Sequence, residues 1–161
     1  MMKSKFKYTL LTLLLISALP GLRVDLHAEE AATAPEMTVY RSSSCSCCGK
    51  WLEHMQQNGF NIKSVISDDM QAVKEKFGIP AKLASCHTAV VDGYLVEGHI
   101  PATDVKHLLQ TKPKILGIAA PNMPLGSPGM EVGGQKQTYQ VMTFDEQGKI
   151  GVFAEHGDTN H

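Results

Sequence analysis

Aromatic side chains are scarce in this 161-residue sequence, ten in all, with a single tryptophan at position 51. Arginine is scarcer still, present only as Arg23 and Arg41. A nucleic-acid surface uses aromatics to stack bases and arginines to read phosphates and base edges, so this composition gives no reason to expect such a partner. Nor is there an excess of charge: the formal net charge is −1, with no basic stripe. Phosphate loops, nucleotide fingerprints and serine or carboxylate catalytic constellations are also missing, as is any internal repeat. Cysteine is sparse too, but its four copies all fall between Cys45 and Cys86. That clustering is the feature that needs a physical reason.

The longest apolar run, Tyr8 to Leu19, is about 12 residues, short of the roughly 20 that cross a bilayer as a helix. It follows Lys3, Lys5 and Lys7 and ends at Pro20-Gly21, which is the layout of a secretory signal rather than an anchor. Residues 1–28 are therefore expected to be a signal peptide cut after Ala28, delivering the protein to the periplasm with no membrane anchor. Its removal takes away Lys3, Lys5, Lys7, Arg23 and Asp25, leaving 11 basic and 15 acidic residues.

Along the remaining chain, Met37 to Arg41 has the alternation and β-branching of a strand. From Cys47, the positions Cys48, Trp51, Leu52 and Met55 recur at helical spacing up to Gly59. Phe60 to Ile66 reads as a second strand. Asp68 or Asp69 caps a second helix ended by Gly78. His87 to Val91 and Tyr94 to Glu97 form a hairpin around Asp92-Gly93, and Pro101 opens a third helix. This β-α-β-α-β-β-α order predicts an α/β, thioredoxin-like core. Lys112 to Gly134 carries four prolines and reads as a long Pro/Gly-rich ordered loop. Thr138 to Phe144 and Lys149 to Ala154 complete the fold as a C-terminal β-hairpin. One domain over residues 37–155 is expected, with 156–161 a frayed tail.

For an exported chain the default reading of four cysteines is two structural disulfides. The spacing opposes it: Cys45, Cys47 and Cys48 fall within four consecutive positions, so at most one can staple to Cys86, and the other two would close a trivial loop. The Cys45-Ser46-Cys47-Cys48 motif instead straddles a strand-to-helix turn, where the helix N-terminus favours thiolates. Low thiol pKa serves both disulfide exchange and soft-metal binding. A third thiol between Cys45 and Cys48 invites scrambled pairing in the first trade and is another ligand in the second. In a thioredoxin-like order Cys86 enters a strand beside this turn, so four thiolates converge. Zinc usually draws its cysteines as two separated pairs, which fits poorly. Several Cu(I) ions, by contrast, would neutralise thiolate charge that one ion leaves in excess, so a polynuclear Cu(I)–thiolate site is favoured. A thiol–disulfide oxidoreductase using Cys45 and Cys48 is the alternative.

Met123 and Met130, both in the long loop, and His87, next to Cys86, are candidate auxiliary ligands. Strand alternation nevertheless turns the His87 side chain away from that of Cys86. Met55 is expected in the core, His99 in a turn where its conformation matters more than its basicity, and His54 and His107 on solvated helix faces. His156 and His161 fall in the frayed tail.

Four separated stretches carry a family resemblance: Arg41 to Gly49 (RSSSCSCCG), Ala84 to Asp92 (ASCHTAVVD), Glu97 to Pro101 (EGHIP) and Met123 to Glu131 (MPLGSPGME). Together, and in this order, they resemble the CopG family of periplasmic copper-resistance proteins, over about Met37 to Glu155. The resemblance implies a thioredoxin-like scaffold whose C-x-C-C motif and distal cysteine hold a multi-copper cluster. It further implies a role in periplasmic copper handling or copper redox interconversion, with copper ions and other copper-handling proteins as partners. Carried over residue by residue, the metal ligands are Cys45, Cys47, Cys48 and Cys86.

Overall fold

A computed structural model of the chain describes residues 34–157. The expected signal peptide and His161 lie outside the described residues.

Alternation builds the first strand: in β1 (Glu36–Arg41) Met37 and Val39 are buried on one face, while Thr38 and Tyr40 are half-buried on the other, Tyr40 against Phe77. The chain then turns into α1 (Ser46–Gln57), whose buried positions Cys48, Trp51 and Met55 fall on one stripe, as the spacing predicts. Cys45 is its N-cap and makes no side-chain capping bond, so none of the flanking serines takes that place. The edge strand β2 (Asn61–Ile66) runs parallel to β1. Asp69 caps α2 (Met70–Lys76) by accepting from the Ala72 amide at 2.9 Å. A single 3-10 turn, Ala81–Leu83, leads to β3 (Thr88–Val91) and β4 (Tyr94–Glu97). Asp92 and Gly93 both take left-handed backbone angles, φ 47° and 81°, which a two-residue hairpin of this twist demands. Pro101 is the N-cap of α3 (Ala102–Thr111).

The segment expected to be only loop contains one more strand, β5 (Gly117–Ala119), parallel to β4 and fully buried. Its apolar stretch is short, is bracketed by prolines and starts on glycine, so its pattern is hidden. The glycine is there for space: a Cβ on Gly117 would sit 2.7 Å from the Cβ of Leu95. Gly117→Ala is therefore expected to destabilise by about 1–3 kcal/mol through overpacking, read as a lowered urea midpoint.

The chain closes with β6 (Tyr139–Phe144) and β7 (Ile150–His156). β7 runs two residues further than expected. His156 is not frayed: its Nε2 lies 2.6 Å from Asp104 Oδ2 and its ring stacks on Tyr139. A partly buried carboxylate partner holds this end of the strand.

The seven strands form one sheet in the order β2-β1-β3-β4-β5-β6-β7. It is apolar on both faces. Trp51 and Met55 of α1, Val105 and Leu108 of α3, and Val96 and Ile118 of the sheet share one cluster. Alternate sheet residues Leu95 and Ala119 join Ile79, Leu83 and Phe144 in the other. Among the described residues, no helix is long and apolar enough to cross a membrane.

Candidate metal centre

Two chain segments meet where β1 ends. One is the start of α1, carrying Cys45, Cys47 and Cys48. The other is the approach to β3, carrying Cys86 and His87. Their four sulfurs lie within 4.8 Å of one another. Cys45 Sγ is 3.4 Å from Cys47 Sγ, and Cys48 Sγ is 3.8 Å from Cys86 Sγ. Cys45 and Cys48 are joined as a disulfide, while Cys47 and Cys86 are free thiols. The orphan amides and dipole end of α1 point at this spot and favour negative sulfur.

Two imidazoles complete the cluster. His87 Nδ1 and His99 Nε2 each lie 3.0 Å from Cys86 Sγ, and the three groups form a second set within 4.8 Å. Strand alternation misplaces His87 because Cys86 and His87 precede β3, whose regular pleat begins only at Thr88. His99 was expected to matter only as a turn residue; instead it is buried against the thiol. A signal for it exists in the hairpin. Thr88 stands opposite Glu97, and continuing that register two places sets Cys86 opposite His99. The Gly98 amide donates to the His87 carbonyl at 2.9 Å, so the pairing does extend past the named strands.

The other nitrogen of His99, Nδ1, lies 2.7 Å from the Pro128 carbonyl. Donation there fixes the tautomer and leaves the Nε2 lone pair facing Cys86, the usual arrangement for a metal-binding histidine. His87 Nε2 is buried and finds no hydrogen-bond partner among the described residues. Its ring packs on Trp51, centroids 4.3 Å apart. Burial pushes both imidazoles below their ordinary value, His99 and Lys74 adding to the effect at His87, so both are neutral donors. Burial first, and the neighbouring Cys47 second, push the Cys86 thiol up to about 12. A metal ion must therefore displace a proton to bind that sulfur. Soft sulfur with neutral imidazole is a donor set that suits copper or zinc and disfavours calcium or magnesium.

The Pro/Gly loop lies against this centre. A Cβ on Gly129 would sit 3.0 Å from the Cys47 carbonyl oxygen and 3.1 Å from His99 Nδ1, so only glycine lets the loop approach so closely. Met130 follows it directly and is half-buried, whereas Met123 is 39% exposed. Met55 is in the core as expected.

His54 departs from expectation. It is half-buried, and its Nε2 accepts the Ala102 amide at 3.1 Å, satisfying a free donor in the first turn of α3. Burial holds it below its ordinary value, with Glu131 opposing and Lys106 assisting. In the unfolded chain histidine titrates near pH ~6.5. The lowered folded value means His54 contributes its full stabilisation above that pH and loses it as pH falls further. Replacement by glutamine, which keeps an acceptor but does not titrate, should flatten this part of the stability–pH curve below pH ~6.5; an unchanged slope would count against the role.

Fold and site together define a mixed α/β protein with a partly buried cysteine–histidine centre suited to soft metal ions. The comparisons with known proteins sharpen that class. A family profile described as "Protein of unknown function, DUF411" matches residues 83–130, from the approach to Cys86 through Met130. Two solved structures, "Copper resistance protein copG" Form 2 and Form 1, are each 41% identical and cover 76% of this chain and 98% of that chain, with TM-scores of 0.73 and 0.72. No curated protein matches. The chain belongs to the CopG family of copper resistance proteins, and its cysteine cluster fits copper binding.

Proposed function

We propose that this protein handles copper outside the cytoplasm, in the periplasm, holding several Cu(I) ions as a cluster bridged by Cys45, Cys47, Cys48 and Cys86. The observation that carries the reading is the convergence of all four sulfurs within 4.8 Å, although three come from one helix turn and the fourth from a distant strand approach. Adjacent Cys47 and Cys48 differ in placement, half-buried and buried respectively, which suits bridging between ions better than chelation of one. Several monovalent ions would also offset the charge of four thiolates in a partly buried site.

In this reading the core is thioredoxin-like, supported by the parallel β1–β2 pair beside the antiparallel β3–β4 hairpin. His87 and His99 are nitrogen donors, and Met130 and Met123 stand by as thioethers carried by the loop. Export by residues 1–28, interconversion of copper oxidation states, and exchange of copper with other periplasmic proteins complete the proposal. Anaerobic Cu(I) titration of the reduced protein, with metal and thiol counts, should give more than one copper per chain. A copper-free chain with two quantitative disulfides and no uptake would overturn it.

A second reading, thiol–disulfide exchange, is favoured by one observation. The Cys45–Cys48 disulfide joins a half-exposed sulfur to a buried one, the asymmetry of an attacking and a resolving thiol. Replacement of Cys47 or Cys86 separates the two readings: copper binding needs both, and dithiol exchange needs neither.

A further inference from the structure

Directly behind Cys86 lies a buried ionic network that the metal-binding reading does not use. Glu97, the last residue of β4, is 0% exposed, and Lys74 of α2 is 8% exposed. Their charged atoms, Oε1 and Nζ, are 2.6 Å apart. The same Oε1 accepts the Ser85 backbone amide at 2.6 Å, while Oε2 accepts the Thr88 hydroxyl at 2.6 Å. Thr88 Oγ1 in turn accepts from Lys74 Nζ at 3.2 Å. Both carboxylate oxygens are thus used, on the residue before Cys86 and on the residue after His87.

A buried ion pair is weak as a source of stability, because removing two charges from water offsets most of their attraction. What this pair does uniquely is geometric. The Cys86-His87 step precedes β3, where the hairpin pairing thins to a single backbone bond. Glu97 grips it at both ends, and the Gly98 amide adds a bond to the His87 carbonyl. Gly98 itself, at φ 79°, leaves no room for a side chain: a Cβ there would meet Ser85 Oγ and come within 2.7 Å of the Ala120 carbonyl.

We propose that Glu97, paired with Lys74, is the positioning residue of the centre, clamping Ser85 to Thr88 so that Cys86 Sγ stands within reach of the Cys45–Cys48 turn. Its consequence for copper rests on the reading given under Proposed function, but the clamp itself can be tested without metal.

In the copper-free protein with the Cys45–Cys48 disulfide intact, Cys47 and Cys86 are the thiols open to iodoacetamide, and mass mapping reports each rate separately. Glu97→Ala should raise the Cys86 rate relative to Cys47 by about tenfold more than Glu97→Gln, which loses the same charge but keeps an acceptor for the Ser85 amide; tenfold is the worth of one hydrogen bond. General loosening of the fold would raise both thiols, and loss of the Glu97 charge, which helps hold the Cys86 thiol up, is common to Glu97→Ala and Glu97→Gln, so the ratio compared between these two variants is the readout. Lys74→Arg keeps the charge and should leave the ratio near that of the wild type. A ratio in Glu97→Ala no higher than in Glu97→Gln overturns the proposal.

Should either variant fail to fold, amide hydrogen exchange in the wild type decides. The Ser85 amide, which lies outside any helix or strand, should be protected by about a hundredfold or more, and free exchange there overturns the clamp. After Cu(I) loading, Glu97→Ala should shift the copper–thiolate absorption and Lys74→Arg should not. A wild type that takes up no copper defeats the copper reading while the alkylation and exchange results still judge the clamp.

Discussion

Cys86→Ser is expected to abolish most of the proposed copper binding while leaving the protein folded. Cys86 is the only one of the four cysteines that α1 does not position, so it alone brings a sulfur from the sheet side. Serine keeps the shape and, in the metal-free protein, the ability to hydrogen-bond His87 and His99, both within 3.0 Å of the present sulfur. What it removes is the soft donor, since a neutral hydroxyl is a poor ligand for Cu(I). Loss of a mere supporting partner of a metal ligand costs about 10–100-fold in affinity. Loss of a sulfur proposed to bridge ions should cost more, and a competition titration against a Cu(I) chelator measures it. Cys47→Ser should behave in the same way. If either variant keeps the full copper count and the Cys45–Cys48 pair still exchanges with a dithiol, the second reading replaces the first.

Much of this centre could be read along the chain because its main determinants are local. The C-x-C-C spacing, the helical stripe Cys48, Trp51 and Met55, the Asp69 cap and the Asp92-Gly93 turn each act within a few residues, and each stands where its chemistry requires. What escaped depends on pairing across distance. His99 becomes visible only when the hairpin register is carried past its ends, and His54 only when α1 is laid against the start of α3. β5 is disguised by the glycine that lets it pack on Leu95. The Lys74–Glu97 pair joins a lysine of α2 to the last residue of β4, 23 positions along the chain. No periodicity encodes such a pair, because the reason for each charge is the other charge.

Trp51→Ala should have the largest effect on the fold itself, because Trp51 links the helix that carries three thiols to both segments that complete the site. It is 0% exposed, its Nε1 donates to the Ile100 carbonyl at 2.8 Å, and its ring packs on His87. Its own backbone nitrogen is 2.9 Å from where a Gly129 side chain would begin, so the loop rests on the same turn of α1. Truncating a buried tryptophan costs about 3–5 kcal/mol, out of the 5–15 kcal/mol that typically hold a domain together. For a chain of this size that corresponds to a fall in Tm of roughly 10–20 °C, measurable by thermal unfolding of the metal-free protein. Trp51→Phe separates the two contributions. It keeps a ring against His87 but leaves the Ile100 carbonyl unpaired, a cost of about 1–3 kcal/mol. Ligands that bind only the folded state add stability by mass action, so copper should recover part of the lost Tm in both variants. A Trp51→Ala protein melting within a few degrees of wild type would mean that α1 is held by something other than this residue.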